Sequence, residues 1–269
     1  MTQLFDLSDE VAVVIGAGGV LGGAIAEGLA EAGARVAVVD LFPAGGEARV
    51  EGIRAKGGRA AFFQASATEG ASLRDAQAAI EKDFGAPTVL VNCAGGNDPK
   101  VTVSAERTFE EIPLEAWMSN YNLNLVGGAL LPCQVFGPGM VARGKGSIIN
   151  IASVSAHLPL SRVVSYSAAK AAVLNLSRFL AREWAPCGVR VNTITPGFFP
   201  AGQNRKLLFN EDGTPTDRTR QIWAHTPMQR FGEAQELVGA AIFLASPRAS
   251  GFVTGADIRV DGGFLAQTI

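Results

Sequence analysis

Tyr166 and Lys170 stand four residues apart in Ser165-Tyr166-Ser167-Ala168-Ala169-Lys170. On a helix that spacing places both on one face. An ammonium beside a phenol favours the phenolate, so the pair predicts a tyrosine pKa below its usual ~10. Such a tyrosine can exchange a proton near neutral pH. Ser153 lies thirteen residues earlier, at the end of Ile149-Asn150-Ile151-Ala152-Ser153. A hydroxyl there can donate to a substrate carbonyl, or it can cap the next segment.

A second constellation lies near the N-terminus. The turn Gly16-Ala17-Gly18-Gly19-Val20-Leu21-Gly22-Gly23 follows the β-branched run Val11 to Ile15. Glycines let backbone approach a pyrophosphate, and a helix N-terminus offers free N–H groups to it. A tight turn that needs glycine only for its geometry would read the same way. Asp40 closes the next apolar run. A carboxylate there can accept from both hydroxyls of an adenosine ribose and repels a 2′-phosphate. Leu41, Phe42 and Pro43 follow it, with no adjacent cation, which favours NAD over NADP. The bland role for Asp40 is capping the following turn.

The elements that must position these groups follow from hydrophobic periodicity. Strands are expected at Val11–Ile15, Arg35–Val39, Ala60–Gln64, Thr88–Val91, Ser147–Ile151, Val189–Ile194 and Asp257–Val260. Helices are expected at Leu21–Ala32, Glu47–Lys56, Ser72–Phe84, Ser165–Trp184 and Glu233–Ala245. A long helix over Leu114–Val141 contains Pro132 as a possible kink site. Apolar strands alternating with helices predict a parallel sheet covered on both faces. The expected fold is α/β: a single doubly wound, Rossmann-type domain over residues 1–269. In such sheets ligands bind outside the carboxyl ends of the strands, where Gly16, Asp40 and Ser153 all fall.

The 269 residues carry 23 basic and 25 acidic side chains, for a net charge of -2. No basic surplus points to nucleic acid or to an anionic membrane. The first ten residues have no cationic leader, and apolar stretches look interrupted before the ~20 residues of a membrane helix. Cys93, Cys133 and Cys187 show no paired spacing, and there are only two histidines. Neither disulfides nor a metal site are expected, and buried free thiols in a cytoplasmic protein fit best.

Taken together, these residues resemble the short-chain dehydrogenase/reductase family over nearly the whole chain. The matching positions are Gly16, Gly22 and Asp40, then Asn92-Cys93-Ala94-Gly95 and Asn124. Ser153, Tyr166, Lys170, Pro196-Gly197 and the tail from Val253-Thr254-Gly255 to Val260-Asp261-Gly262-Gly263 complete the pattern. The chain departs from it at Ile15, Val20, Ser66 and Cys93, where the family usually has Thr, Gly, Asp and Asn. The resemblance implies catalysis by Asn124, Ser153, Tyr166 and Lys170. Tyr166 would be the acid/base, and Ser153 would polarise the reacting oxygen. Lys170 would lower the tyrosine pKa and hold the nicotinamide ribose, and Asn124 would anchor a water leading to solvent. It also implies a cofactor surface of Gly16, Gly18, Gly19, Val20, Leu21, Gly22, Asp40, Leu41, Ser66, Ala67, Asn92, Ala94, Gly95, Tyr166, Lys170, Pro196 and Gly197. A homotetramer is the implied assembly, using the apolar stretch Leu123–Leu131 and the Phe252–Phe264 tail.

The stretch 198–232 would close over the substrate. It carries Arg205, Lys206, Arg218, Arg220 and Arg230 against Glu211, Asp212 and Asp217. A cationic, amide-rich lid suits an anionic small molecule. Its wording, with Ala94-Gly95-Gly96-Asn97, is similar to a group acting on D-mannonate, D-fructuronate or gluconate. Asp98, Ala201 and Gly202 replace that group's His, Thr and Glu. The expected substrate contacts are Asn97, Ser153, Asn204, Arg205 and His225, with Arg205 on the carboxylate. Phe198, Phe199, Leu207 and Leu208 leave open a reductase of a 3-oxoacyl group, cyclic ketone or polyol. A silent nucleotide-binding regulator is the reading from another class.

Overall fold

The computed structural model describes residues 3–201 and 205–268, with the side chains of Arg205 and Lys206 also outside the description. Seven parallel strands form one sheet in the order β3-β2-β1-β4-β5-β6-β7. They are β1 Val11–Ile15, β2 Arg35–Asp40, β3 Arg59–Gln64, β4 Val89–Asn92, β5 Gly146–Ile151, β6 Val189–Pro196 and β7 Asp257–Val260. The expected doubly wound α/β fold is present. Chain order reverses between β1 and β4, which makes a switch point there.

Register aligns the chemistry. Ile15 pairs with Asn92, Asn92 with Asn150, and Ile151 with Ile194. The segments leaving β1, β4, β5 and β6 therefore emerge side by side. Alternation sorts the strand residues between two cores. One holds Val14, Val36, Val91 and Ile149, and the other holds Val13, Leu90, Ile148 and Val191.

The covering helices are α1 Val20–Glu31, α2 Pro43–Ala55, α3 Gly70–Phe84, α4 Leu114–Tyr121, α5 Leu131–Arg143 and α6 Val164–Trp184. Then come α7 Arg205–Leu208, α8 Asp217–His225 and α9 Val238–Ala245. Pro43 sits in the first turn of α2, where its missing N–H costs nothing, so that helix begins earlier than expected. The long helix expected over Leu114–Val141 is not a uniform α-helix. A π-helical segment, Asn122–Leu130, joins α4 to α5, just ahead of Pro132. Proline lacks the N–H that a regular ladder would use, and wider turns accommodate the loss.

The expectation that no apolar stretch reaches membrane length needs correction. Leu114–Arg143 is long and apolar enough by length and composition, although half of its most apolar window is buried in the protein. The thiols need a correction too. Cys133 is buried and Cys93 partly so, but Cys187 is exposed, and all three are free.

Candidate active site

The glycine turn is shaped by close approaches. Gly16 has φ +81°, and a Cβ there would lie 2.7 Å from Ala94 N. A Cβ on Gly22 would collide with the Gly16 carbonyl. Larger residues would push the β1 turn off the β4 loop. Gly19 caps α1 without a side-chain bond, and no acidic residue occupies the first turn. The helix N-terminus thus keeps unsatisfied N–H groups and a positive dipole end for a phosphate.

Asp40 meets this turn from β2. Its Oδ2 accepts from Gly18 N at 2.9 Å, and its Oδ1 from Phe42 N at 3.0 Å. It therefore caps its own turn and also ties down the glycine turn. A carboxylate has about four acceptor positions, so capacity for two hydroxyls remains. Arg49, in α2, leans over Gly23 but is ion-paired with Glu27. Val20 and Leu41 are exposed on the two sides of the turn, at 42% and 49%. Leu21 is partly exposed, as are Ser66 and Ala67 beyond β3. The Ser66 hydroxyl is 3.1 Å from that of Thr68. These features form a cradle that fits a dinucleotide.

Asn92 is a correction. It is fully buried, and its Nδ2 donates to Asn150 Oδ1 at 2.7 Å. Its side chain belongs to the interior beneath the site and lines no cofactor surface. Pro196 closes β6, and Gly197 N donates to Val260 O at 3.0 Å. A Cβ on Gly197 would sit 2.8 Å from the Asp261 Cα.

Ser153, Tyr166 and Lys170 converge at the end of β5. Ser153 is 8% exposed and Lys170 3%. The Ser153 hydroxyl lies close enough to the Tyr166 phenol to favour its ionised form. Ser153 Oγ also accepts from Ser155 N at 3.2 Å, so it caps the short helix Val154–Ala156 as well. Lys170 Nζ donates to Ile151 O at 2.7 Å and lies 5.7 Å from the centre of the Tyr166 ring. Burial pushes the lysine down to about 8.

The expected depression of the tyrosine pKa by Lys170 is not what this geometry produces. Burial pushes the Tyr166 phenol up, and the nearby Ser153 hydroxyl opposes that rise. The ammonium lies over the ring, 5.7 Å from its centre.

Asn124 lies in the π-helical segment and is fully buried. Its Oδ1 accepts from Gly96 N at 2.9 Å, and its Nδ2 donates to Gly96 O and to Asn120 O. The bond to Asn120 is local, but the pair to Gly96 clamps the loop after β4. Gly95 rests on this clamp. A Cβ there would be 2.6 Å from Asn124 Oδ1 and 3.5 Å from Lys170 Nζ.

The described members of the expected substrate set have partners of their own. Asn97 is exposed, and its Nδ2 donates to Thr102 Oγ1 at 2.7 Å. Asp98 turns its carboxylate to Lys100 N. His225 is exposed and packs edge-on against Phe264 at 4.5 Å. Asn204 lies outside the described residues, and so does the Arg205 side chain. Sequence reasoning missed His157, the histidine that follows Ser153 by four residues. Its Nε2 is 3.1 Å from Asp257 Oδ2. Among the described residues no group of three metal-ligating side chains occurs.

A family model described as enoyl-(acyl carrier protein) reductase matches residues 16–265. The uncharacterized oxidoreductase UxuB of Bacillus subtilis is 40% identical over 98% of this chain and 97% of its own. A Haemophilus influenzae crystal structure with bound NAD, provisionally assigned as a D-mannonate oxidoreductase, superposes with a TM-score of 0.92. It is 39% identical and covers 98% of this chain and 97% of that one. A Burkholderia cenocepacia gluconate 5-dehydrogenase, in complex with NADP and tartrate, gives 0.87 at 32% identity, covering 98% of each chain. With the glycine cradle and with Ser153, Tyr166 and the buried lysine beyond the carboxyl ends of the strands, the chain belongs to the short-chain dehydrogenase/reductase family, nicotinamide-dependent oxidoreductases acting on CH–OH groups.

Proposed function

We propose that the protein is an NAD-preferring oxidoreductase that interconverts a hydroxyl and a ketone on a sugar acid of the D-mannonate/D-fructuronate type. The observation that carries the chemistry is the convergence of Ser153, Tyr166 and the buried Lys170 at the end of β5. The bound nicotinamide would supply the hydride. Tyr166 gives or takes the hydroxyl proton at its phenolic oxygen. Ser153 donates to the reacting oxygen and polarises it. Lys170, held by Ile151 O, presents a buried cation beneath the tyrosine and toward the ribose. Asn124 holds Gly96, and through it the Gly95 backbone that lies against Lys170.

The preference for NAD rests on Asp40. Its charge faces the place a 2′-phosphate would occupy, and the nearby Arg49 is held by Glu27. Support for a sugar acid comes from the relatives named above and from the cationic segment 198–232. A homotetramer is the proposed assembly, because Phe252 is fully exposed and Leu123 is 38% exposed. The test is a panel of sugar acids, polyols and ketones followed at the NADH absorbance, repeated with NADPH. Preference for neutral ketones would overturn the sugar-acid reading, and faster turnover with NADPH the cofactor assignment.

A further inference from the structure

Beside the segment that leads into α6, the structure holds an open cleft of about 470 Å³ whose lining includes Arg162, Asn210, Asp217, Arg218 and Arg220. Arg162 lies four residues ahead of Tyr166 and Arg218 lies in α8. We propose that Arg162 and Arg218 together bind the carboxylate of the substrate. This rests on the sugar-acid reading and names the residues that select for it.

Three observations carry it. First, the two guanidinium groups line one cleft, Arg162 exposed and Arg218 half-buried, and each disfavours the other's charge. Like charges brought close together are unfavourable unless an anion joins them. Second, neither arginine has an ion pair within 4 Å among the described residues, and the acids nearby have other partners. Asp217 is paired with Arg220 at 3.2 Å. Glu106, whose charge Arg162 favours, accepts from Ser104 Oγ at 2.9 Å. The stretch 202–206, Gly-Gln-Asn-Arg-Lys, holds no acidic residue. Third, Arg162 has φ +77°, one of two non-glycine residues with positive φ among those described. A long side chain in that conformation is strained, and such strain persists where the surroundings impose it. Here Val103 N donates to Arg162 O at 2.9 Å.

Position makes the pair useful. Four residues of chain span at most ~14 Å, so Arg162 is tethered close to the proton-exchanging tyrosine. Arg218 approaches from the segment that covers the substrate. A carboxylate several carbons from the reacting centre can bridge them, because each guanidinium offers a planar fork of N–H donors. Binding the acid then joins the covering segment to the rigid start of α6.

The test uses Arg162→Gly, Arg162→Gln, Arg218→Gln and the double variant. Two measurements are made on each: steady-state kinetics with D-fructuronate and with neutral D-fructose, and calorimetric binding of tartrate to the NADH complex. Each single change should raise KM for the acid about tenfold to a hundredfold, the range for a charged hydrogen bond. Kinetics on any neutral ketose turned over should hardly change, and tartrate binding should weaken in parallel. Arg162→Gly relieves the backbone, so it should melt no lower than wild type while still losing the acid. Unchanged acid KM and tartrate affinity in the double variant would overturn the site and leave the sugar-acid reading intact. Tartrate binding lost in the variants, in an enzyme that reduces no sugar acid, would keep the anion site and sink that reading. Tighter binding of fructose 6-phosphate than of tartrate would overturn the carboxylate assignment.

Discussion

His157 Nε2 lies 3.1 Å from Asp257 Oδ2 and so ties the segment that follows Ser153 to the edge strand β7. Asp257 Oδ1 also accepts from Thr193 Oγ1 at 2.7 Å and from Thr195 Oγ1 at 2.6 Å. One carboxylate thus gathers β6, β7 and the Ser153 segment. Asp257→Ala removes the nearest acceptor of both threonine hydroxyls and leaves them only the longer contacts, at 3.4 Å, to Ala256 O and His157 Nε2. It should cost about 1–3 kcal/mol in urea unfolding, the range for an unsatisfied buried polar group. His157→Ala should lower kcat with NADH binding unchanged, because it loosens the serine and not the cofactor cradle. Equal kcat in wild type and His157→Ala would show that Ser153 is held without the histidine.

Tyr166→Phe removes the hydroxyl that faces Ser153 and keeps the ring beside which Lys170 lies. Turnover should fall by roughly 10²–10⁴-fold, the usual contribution of a positioned acid/base. NADH fluorescence titration should give wild-type binding. A variant that retains near-normal turnover would assign the proton to another group.

Asp40→Ala frees Gly18 N and Phe42 N and removes the negative charge beside the glycine turn. Binding of NAD should weaken, and discrimination against NADP should relax. The ratio of kcat/KM for NADH and NADPH in the two proteins measures both effects. An unchanged ratio would assign the selectivity elsewhere.

Lys170 gives a pH signature. Burial lowers its pKa from 10.5 to about 8. Between those values the unfolded chain binds more protons than the folded one, so Lys170 makes stability rise with pH. Above pH 10 the raised Tyr166 pKa acts with the opposite sign, because the folded state then holds the extra proton. The difference in unfolding free energy between wild type and Lys170→Met should therefore change over pH 8–10, in favour of wild type as pH rises. A constant difference across that window would show that the lysine is not desolvated.

Phe252 is fully exposed in the isolated chain. Light scattering at micromolar concentration should give a closed tetramer, and Phe252→Asp should shift it toward smaller species. A wild-type monomer would overturn the proposed assembly.

Local rules made much of this protein legible from its sequence. The glycine turn, Asp40 and the Ser153–Tyr166–Lys170 spacing sit at ends of strands and in the first turns of helices, where a parallel sheet must deliver them. Side-chain direction and distant encounters needed the tertiary structure. Asn92 ends a strand buried on both faces, so hydrophobic pattern cannot tell which way it points, and the register with Asn150 turned it inward. The ammonium of Lys170 reached Ile151 O because packing, not helix spacing, set its distance from the phenol. The π-helical turns that present Asn124 to Gly96 arise where a proline meets a packed helix, which periodicity alone does not register. Arg162 and Arg218 are ordinary loop and helix cations in sequence. Only the folding of α8 toward the start of α6 brings them to one cleft, because charge acts through space and not along the chain.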